Sequence, residues 1–158
     1  VYVSIDMHAL RQTHYLPDWT VRACLVTASG DRDEYSRFYD SPAYFFDTSI
    51  AKSIFFKHHF FQELRFVGTT GFMCWQIARY RQDDAYMYGA MAKLRTRAFT
   101  TAFSWQGYSG RKHFGDKPMT IKAEVSVPIK KFTPLIAYSY GLRNYPFHQF
   151  RASVAYTF

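Results

Sequence analysis

The sequence predicts an all-β protein whose antiparallel strands follow one another in up-and-down order, and three observations support this. Apolar and polar residues alternate along several segments, as they do in strands, where successive side chains point to opposite faces of the sheet. Two pairs of neighbouring segments close as hairpins in which apolar residues meet across the ladder. Finally, 20% of the 158 residues are aromatic, and no apolar run approaches the ~18 residues of a membrane-spanning helix.

The most regular hairpin joins residues 119–129 to residues 132–142 through a two-residue turn at Lys130 and Lys131. The predicted pairs are Ile129–Phe132, Val127–Pro134, Val125–Ile136, Ala123–Tyr138 and Ile121–Tyr140 on the apolar face, with Glu124–Ala137 and Lys122–Ser139 on the other. A slip of one residue would bring polar residues opposite apolar ones, so the alternation determines which residues share a face.

A second hairpin is predicted between Tyr86–Leu94 and Phe99–Trp105, with a turn at Thr96 and Arg97. Its predicted apolar pairs are Leu94–Phe99, Ala92–Thr101, Ala90–Phe103 and Tyr88–Trp105. Polar and small residues collect on the opposite face, so this hairpin has the same two-sided character as the first.

The C-terminal segment alternates in the same way and ends on an aromatic residue. Its apolar positions are Phe150, Ala152, Val154, Tyr156 and Phe158. A strand of this kind, ending on phenylalanine, resembles the terminal strand of bacterial outer-membrane β-barrels. The resemblance implies a transmembrane β-barrel, and it implies that Phe150, Val154, Tyr156 and Phe158 form the signal recognised by the barrel-assembly machinery. A soluble β-sandwich or a lipocalin-like barrel for a hydrophobic ligand remains the alternative.

The predicted number of strands is eight to ten within a single domain over residues 1–158. Val1–Leu10, Trp19–Ala28 and Ala43–Phe56 each predict one strand. Residues 60–81 form either one long strand or two, because the alternation changes parity across the glycine-containing segment 68–71. Ten strands are favoured because closed bacterial barrels normally have an even number. The tenth would come from a hairpin at residues 68–71 or from a strand preceding a trimmed N-terminus.

In this barrel the apolar face is expected to point outward, with aromatic belts at both membrane interfaces. The predicted belt residues are Tyr86, Tyr88 and Trp105 at one rim, and Phe99, Phe132, Tyr156 and Phe158 at the other. The inner face is expected to hold ion pairs that fill a narrow lumen. The predicted members are Glu63, Arg65, Lys93, Lys122, Glu124 and Arg151, with Glu63 bound to Arg65 and Lys122 bound to Glu124.

The net charge of +8 does not predict nucleic-acid binding, because the basic residues are spread over strand ends and turns instead of forming one patch. Phosphates of outer-membrane lipids and lipopolysaccharide are the expected partners. No cofactor and no metal are expected. His58 and His59 would point to opposite faces, and the acidic segment 31–34 lacks the glycine and the ligand spacing of a calcium loop. Whether Cys24 and Cys74 pair is left open by their spacing.

Ser4, Asp6 and His8 are the only weak catalytic candidates, because they share one strand face and supply a hydroxyl, a carboxylate and an imidazole. Alternate residues of a strand are about 7 Å apart, so ordinary inner-face polar residues are the favoured interpretation. The sequence therefore predicts a non-enzymatic barrel in the bacterial outer membrane, with a structural, accessory or adhesive role through its loops or outer wall, alone or in a complex with other outer-membrane proteins. A lipid A- or phospholipid-modifying enzyme and a narrow channel are the alternatives.

Overall fold

A computed structural model describes residues 1–27, 42–57, 60–77, 81–110, 117–144 and 146–157. These residues form nine strands. The strands are β1 (Tyr2–Leu10), β2 (Asp18–Val26), β3 (Ala43–Phe55), β4 (Phe61–Ile77), β5 (Arg81–Thr96), β6 (Thr100–Ser109), β7 (Met119–Ser126), β8 (Phe132–Arg143) and β9 (His148–Tyr156). Within the described residues, no helix is long and apolar enough to cross a membrane.

The nine strands form one sheet in sequence order, and each strand is antiparallel to the next. The all-β, up-and-down prediction is therefore confirmed. Odd-numbered strands end at the short turns 11–17, 56–60, 97–99 and 127–131, which we call the turn end of the sheet. At the other end of the strands lie the connections 27–42, 78–80, 110–118 and 144–147, and we call this end of the sheet the loop end.

The hairpin of β7 and β8 has the predicted register, from Ile121 opposite Tyr140 to Val125 opposite Ile136. At the turn, Ile129 and Phe132 exchange both backbone hydrogen bonds, at 2.7 and 2.9 Å. Lys130 has a φ of 54°, which is the left-handed conformation that two-residue hairpin turns of the primed types require.

Replacing Lys130 by glycine is expected to stabilise the protein by about 0.5–1 kcal/mol, because glycine adopts a positive φ without the steric cost that a Cβ imposes. The midpoint of denaturant unfolding measures this change. Lys131→Gly is the matched control: Lys131 has no positive φ, and its ammonium group lies 5.9 Å from the centre of the Tyr156 ring. The control should therefore lose stability, and a gain for Lys131→Gly equal to that for Lys130→Gly would contradict the argument.

The hairpin of β5 and β6 has a different register from the predicted one. Leu94 lies opposite Thr101, not opposite Phe99, so the strands are shifted by two residues. The hydroxyl of Thr96 accepts hydrogen bonds from the amides of Ala98 and Phe99, at 3.3 and 3.0 Å. These bonds place Thr96 before the loop, so the turn is at residues 97–98. A two-residue shift keeps every side chain on its face, and alternation alone could not detect it.

Strand β4 is continuous through residues 68–71, so the predicted hairpin there is wrong. Gly68 to Gly71 pair with Ile50 to Asp47 in β3 without a shift of register. The change of parity has another cause: Trp75 lies on the same face as the charged residues, where its indole N–H is 3.0 Å from Met73 Sδ. The change of parity therefore arises because Trp75 is an aromatic residue that faces inward, and it does not indicate a bend in the strand.

The sheet is not closed, which corrects the expected barrel of eight to ten strands with ten favoured. Nine strands leave β1 and β9 as the two edges. Because the number is odd and each neighbour is antiparallel, β1 and β9 both run from the loop end to the turn end. Pairing them directly would require a parallel ladder in an otherwise antiparallel sheet.

The two faces of the sheet differ in burial. The face that carries Asp47, Arg65 and Glu124, which we call the inner face, contains most of the buried residues. These are small: Cys24, Ala43, Ala51, Ser53, Ala85, Ala102 and Ala137. Among the described residues, no large side chain is fully buried. The outer face carries Phe46, Phe66 and Val125, and none of the described residues forms a second layer on it.

Candidate functional site: an apolar outer face and a charged inner face

The outer face consists largely of exposed apolar side chains. Ile5 is 73% exposed, Ile136 63% and Val154 66%. The other exposed members include Val3, Met7, Trp19, Leu25, Phe46, Ile50, Phe66, Phe72, Phe103, Val125 and Phe150. Soluble monomers rarely expose a contiguous apolar patch of more than about 600 Å². A surface that follows all nine strands is therefore typical of a protein whose outer face is covered by something else.

The total accessible surface of the chain is also larger than that of a compact globular protein of the same mass. It measures 11966 Å², whereas a compact globular protein of 18.6 kDa has an accessible surface of about 8,200 Å². The difference is too large to come from scattered surface residues. The exposed outer face and the two edge strands of the sheet contribute to it.

Aromatic rings on the outer face concentrate towards the two ends of the sheet. At the loop end, Tyr88 lies between Tyr86 and Trp105, with ring centroids 6.2 and 5.1 Å away. Other contacts at this end are Tyr44–Phe46, Phe46–Phe72, Tyr138–Phe150, Tyr138–His148 and Tyr140–His148. At the turn end the contacts are Phe60–Phe61, Phe60–Phe99 and Phe132–Tyr156. Phe158 lies outside the described residues.

The spacing of these aromatic groups can be estimated along β8, which carries Phe132 at the turn end and Tyr140 at the loop end. At about 3.4 Å per residue, the two are about 27 Å apart along the strand. A tilt of about 40° reduces this to about 21 Å, close to the ~25 Å apolar band of transmembrane barrels.

At the turn end of the inner face, charged and polar side chains form one connected network centred on the buried Ser53. Its hydroxyl donates to Glu63 Oε1 at 2.6 Å and accepts from Arg65 Nη1 at 3.0 Å. Arg65 binds Asp18 at 2.6 Å, and Arg95 binds Glu63 at 3.0 Å. Each charge therefore has an opposite partner, which offsets the cost of removing it from water.

The turn between β1 and β2 is attached to the same network by two side chains. Gln12 extends the ladder beyond the end of β2: its carboxamide donates to the Ser53 carbonyl at 2.9 Å and accepts from the Ser53 amide at 2.7 Å. Lys52 Nζ donates to three carbonyl oxygens of the turn at 2.8–3.2 Å, those of Thr13, His14 and Leu16. The turn is thus fixed to β3 on both faces of the sheet.

Sequence reasoning identified some members of this network but not their partners. Glu63 and Arg65 are linked through the Ser53 hydroxyl, while their ion pairs are with Arg95 and Asp18 instead of with each other. Alternate residues of one strand are neighbours along the chain, but residues opposite each other on adjacent strands are closer. Asp18 and Arg95 could have been found only from the register of the sheet.

Elsewhere on the inner face, Lys122 Nζ lies 2.5 Å from Glu124 Oε2, which is the pairing that the sequence predicts. Lys93 and Arg151 also lie on the inner face, at positions opposite Ala102 and Ala137. In the part of the chain that the structure describes, no carboxylate lies within ion-pair distance of either.

Nearer the loop end, the inner face contains a half-open cavity of about 600 Å³. Its apolar wall includes Phe45, Val67, Met73, Met87 and Met91, and its polar wall includes Arg22, Asp47, Ser49, Thr69 and Gln106. The inner face is therefore filled by ion pairs at the turn end and only partly filled towards the loops.

The weak catalytic candidates Ser4, Asp6 and His8 share the inner face of β1 but are not assembled into a catalytic group. Arg22 Nε donates to Asp6 Oδ1 at 2.6 Å. Thr20 Oγ1 lies 3.4 Å from His8 Nδ1. Because the carboxylate is bound to a guanidinium group, it does not orient the imidazole as a serine hydrolase requires.

Metal-binding and disulfide geometry are not found among the described residues. No group of three or more His, Cys, Asp or Glu side chains there is close enough to hold a metal ion; His58, His59 and the acidic segment 31–34 lie outside those residues. Cys24 and Cys74 are not joined by a disulfide, and both are buried. Cys24 pairs with Phe45 and Cys74 with Tyr44, so the two thiols lie on opposite faces with β3 between them.

Comparison with protein-family models and with curated proteins gives no match for this chain. Its function must therefore be inferred from the two faces of the sheet.

Proposed function

We propose that the chain forms a β-barrel-type domain in the bacterial outer membrane, where it has a non-enzymatic, structural, accessory or adhesive role. The observation that carries the proposal is the orientation of the side chains. Large apolar residues point outward and are exposed, whereas most inner-face charges are paired. A soluble barrel has the reverse arrangement, because its apolar residues must be removed from water.

The aromatic groups at the two ends of the sheet also support a membrane around the outer face. Tyrosine and tryptophan are favoured at membrane–water interfaces, where an apolar ring and a polar atom can both be accommodated. Their separation of about 27 Å along β8, or about 21 Å across a bilayer for a strand tilted by about 40°, suits the apolar thickness of an outer membrane. Exposed lysines at the turn end, such as Lys130 and Lys131, support the proposal because their ammonium groups can bind phosphates of lipids.

A structural or accessory role is favoured over catalysis because the charges that could do chemistry are engaged in holding strands together. The Ser53 network joins the first turn to β3, β4 and β5, and Arg22 joins β1 to β2 through Asp6. Binding to lipopolysaccharide or to other outer-membrane proteins would then use the outer wall or the loops.

Tryptophan quenching by lipid tests this proposal. Trp19 and Trp105 lie on the outer face and Trp75 on the inner face, next to Met73. In vesicles of lipids with brominated acyl chains, variants that keep only Trp19 or only Trp105 should lose several times more fluorescence than a variant that keeps only Trp75. Bromine quenches at short range, so only rings that face the acyl chains are affected.

The comparison has an internal control, since the three variants share one fold and one lipid preparation. Equal quenching of all three, or a purified protein that stays monodisperse in buffer without detergent, would overturn the membrane assignment.

A further inference from the structure

The two edge strands, β1 and β9, each have one side without a paired strand among the described residues, and we call these two open sides together the seam. Both run from the loop end to the turn end, because an odd number of strands separates the first from the last. Every adjacent pair in the sheet is antiparallel. A single additional strand running from the turn end to the loop end would be antiparallel to both edges, and no strand within the described residues occupies that place.

The backbone groups that face the seam follow from the hydrogen bonds at the strand ends. Thr27 donates its amide to the Val1 carbonyl, so the odd-numbered residues of β1 bond to β2. In an antiparallel ladder the intervening residues point their N–H and C=O groups the other way. In β1 these residues include Ser4, Asp6 and His8. The same argument, from the Thr157 amide bonded to the Lys131 carbonyl, gives Phe150, Ala152 and Val154 in β9.

The two edges carry some of the features that limit strand addition, namely the inward-facing charges Asp6 and Arg151 and an irregular register between His8 and Leu10, but they lack others. Proteins protect edges with proline, short strands or covering loops. Here β1 and β9 are nine residues long and contain no proline. The two most exposed outward side chains of the sheet are on these strands, Phe150 at 78% and Ile5 at 73%, because each edge strand lacks a neighbour on one side.

The charge on the inner face indicates the chemistry of the missing strand. Four inner-face cations have carboxylate partners: Arg22, Arg65, Arg95 and Lys122. Lys93, on the interior strand β5, and Arg151, on the edge strand β9, have none among the described residues. Of these two, only Arg151 lies beside an open edge, so a strand added to β9 would place an inward side chain next to it, and a carboxylate there would give Arg151 an ion-pair partner.

We propose that the seam formed by β1 and β9 binds one strand of a partner protein, which runs antiparallel to both edges. It alternates outward apolar with inward polar residues and presents an aspartate or glutamate to Arg151. Addition of a strand to a sheet edge is an established mode of recognition, in which backbone bonds supply affinity and side chains supply specificity. The inference depends on strand direction, so it does not require the outer face to be in lipid.

A second copy of the chain does not meet these requirements. Head-to-tail pairing of β9 with β1 of another copy would be parallel. Two-fold pairing of like edges is antiparallel, but it places the turn end of one copy beside the loop end of the other and leaves the remaining edge open. Only a separate strand satisfies both edges of one sheet at once.

Amide hydrogen exchange of the full chain in detergent, followed by NMR, tests the proposal. The probe is a nine-residue peptide, as long as β1 and β9, in which valine alternates with threonine and one inward position is glutamate. The alternate amides that face the seam should slow their exchange on peptide binding, while those already bonded to β2 or β8 should not change. The reporting amides are those of Ser4, Asp6 and His8 in β1 and of Phe150, Ala152 and Val154 in β9.

Matched variants separate specific binding from aggregation. Arg151→Gln should weaken binding of the glutamate peptide by about fivefold, as for a partly exposed ion pair, and should not affect a peptide with glutamine at that position. Protection of the seam amides without peptide, protection that depends only on protein concentration, or protection confined to one edge would each overturn the proposal.

Discussion

Replacing Ile136 by arginine should prevent stable assembly in lipid, with a loss of about 2–4 kcal/mol in the free energy of unfolding, as for arginine near the midplane of a barrel. Ile136 is on the outer face between Val125 and Ala152, about midway along β8. On a soluble protein, replacement of an exposed isoleucine by arginine changes stability by only about 0.5 kcal/mol. The sign and size of the effect therefore discriminate between lipid and water as the surroundings of this face. Urea unfolding in vesicles, followed by tryptophan fluorescence, measures it.

The matched control is Gln149→Arg, which introduces the same charge on the inner face. Gln149 is exposed and lies opposite Ser139 on β9. The control should change stability by no more than about 0.5 kcal/mol. Equal losses for the two variants, or no loss for Ile136→Arg, would rule out a lipid-covered outer face.

Replacing Gly71 by alanine should destabilise the sheet by about 1–3 kcal/mol or more, the range for overpacked sites. A Cβ at Gly71 would lie 2.2 Å from the Phe46 carbonyl oxygen and 2.8 Å from Cα and Cβ of Asp47. These are mainly backbone atoms of the neighbouring strand, so β3 or β4 would have to move. The shift in the midpoint of urea unfolding measures the loss.

Gly68→Ala provides the comparison within the same strand. A Cβ at Gly68 meets no atom within 4 Å, and alanine in a strand is preferred over glycine by about 0.5–1 kcal/mol. The two substitutions should therefore have opposite signs. If Gly71→Ala were as well tolerated as Gly68→Ala, the close approach of β3 and β4 at this point would be refuted.

The two hairpins explain how far the sequence could predict the fold. In β7–β8 the turn is short and each strand alternates without interruption, so one register satisfies both faces, and the structure has that register. In β5–β6 the same criterion admits registers that differ by two residues. The observed register is stabilised by the Thr96 hydroxyl, which accepts hydrogen bonds from the Ala98 and Phe99 amides. Alternation contains no information on such local bonds.

In the candidate site, too, the sequence predicted some features correctly and missed others. The sequence placed Lys122 and Glu124 on one face of β7, and they are bound to each other. It also placed Glu63 and Arg65 on one face, but their partners come from other strands and from the first turn. The parity of Trp75 was misread as a bend because an aromatic residue was expected to point outward. Its indole N–H instead bonds Met73 on the inner face.

By itself, the sequence determined that this protein is an antiparallel β structure with one apolar and one polar face. The period of a strand is a local property, and each segment carries it independently of its neighbours. The tertiary structure alone decided that the described residues form nine strands, that β4 is continuous, and that β1 and β9 are the edges of their sheet. These features depend on contacts between segments far apart in the chain, above all on which side chains meet across the inner face.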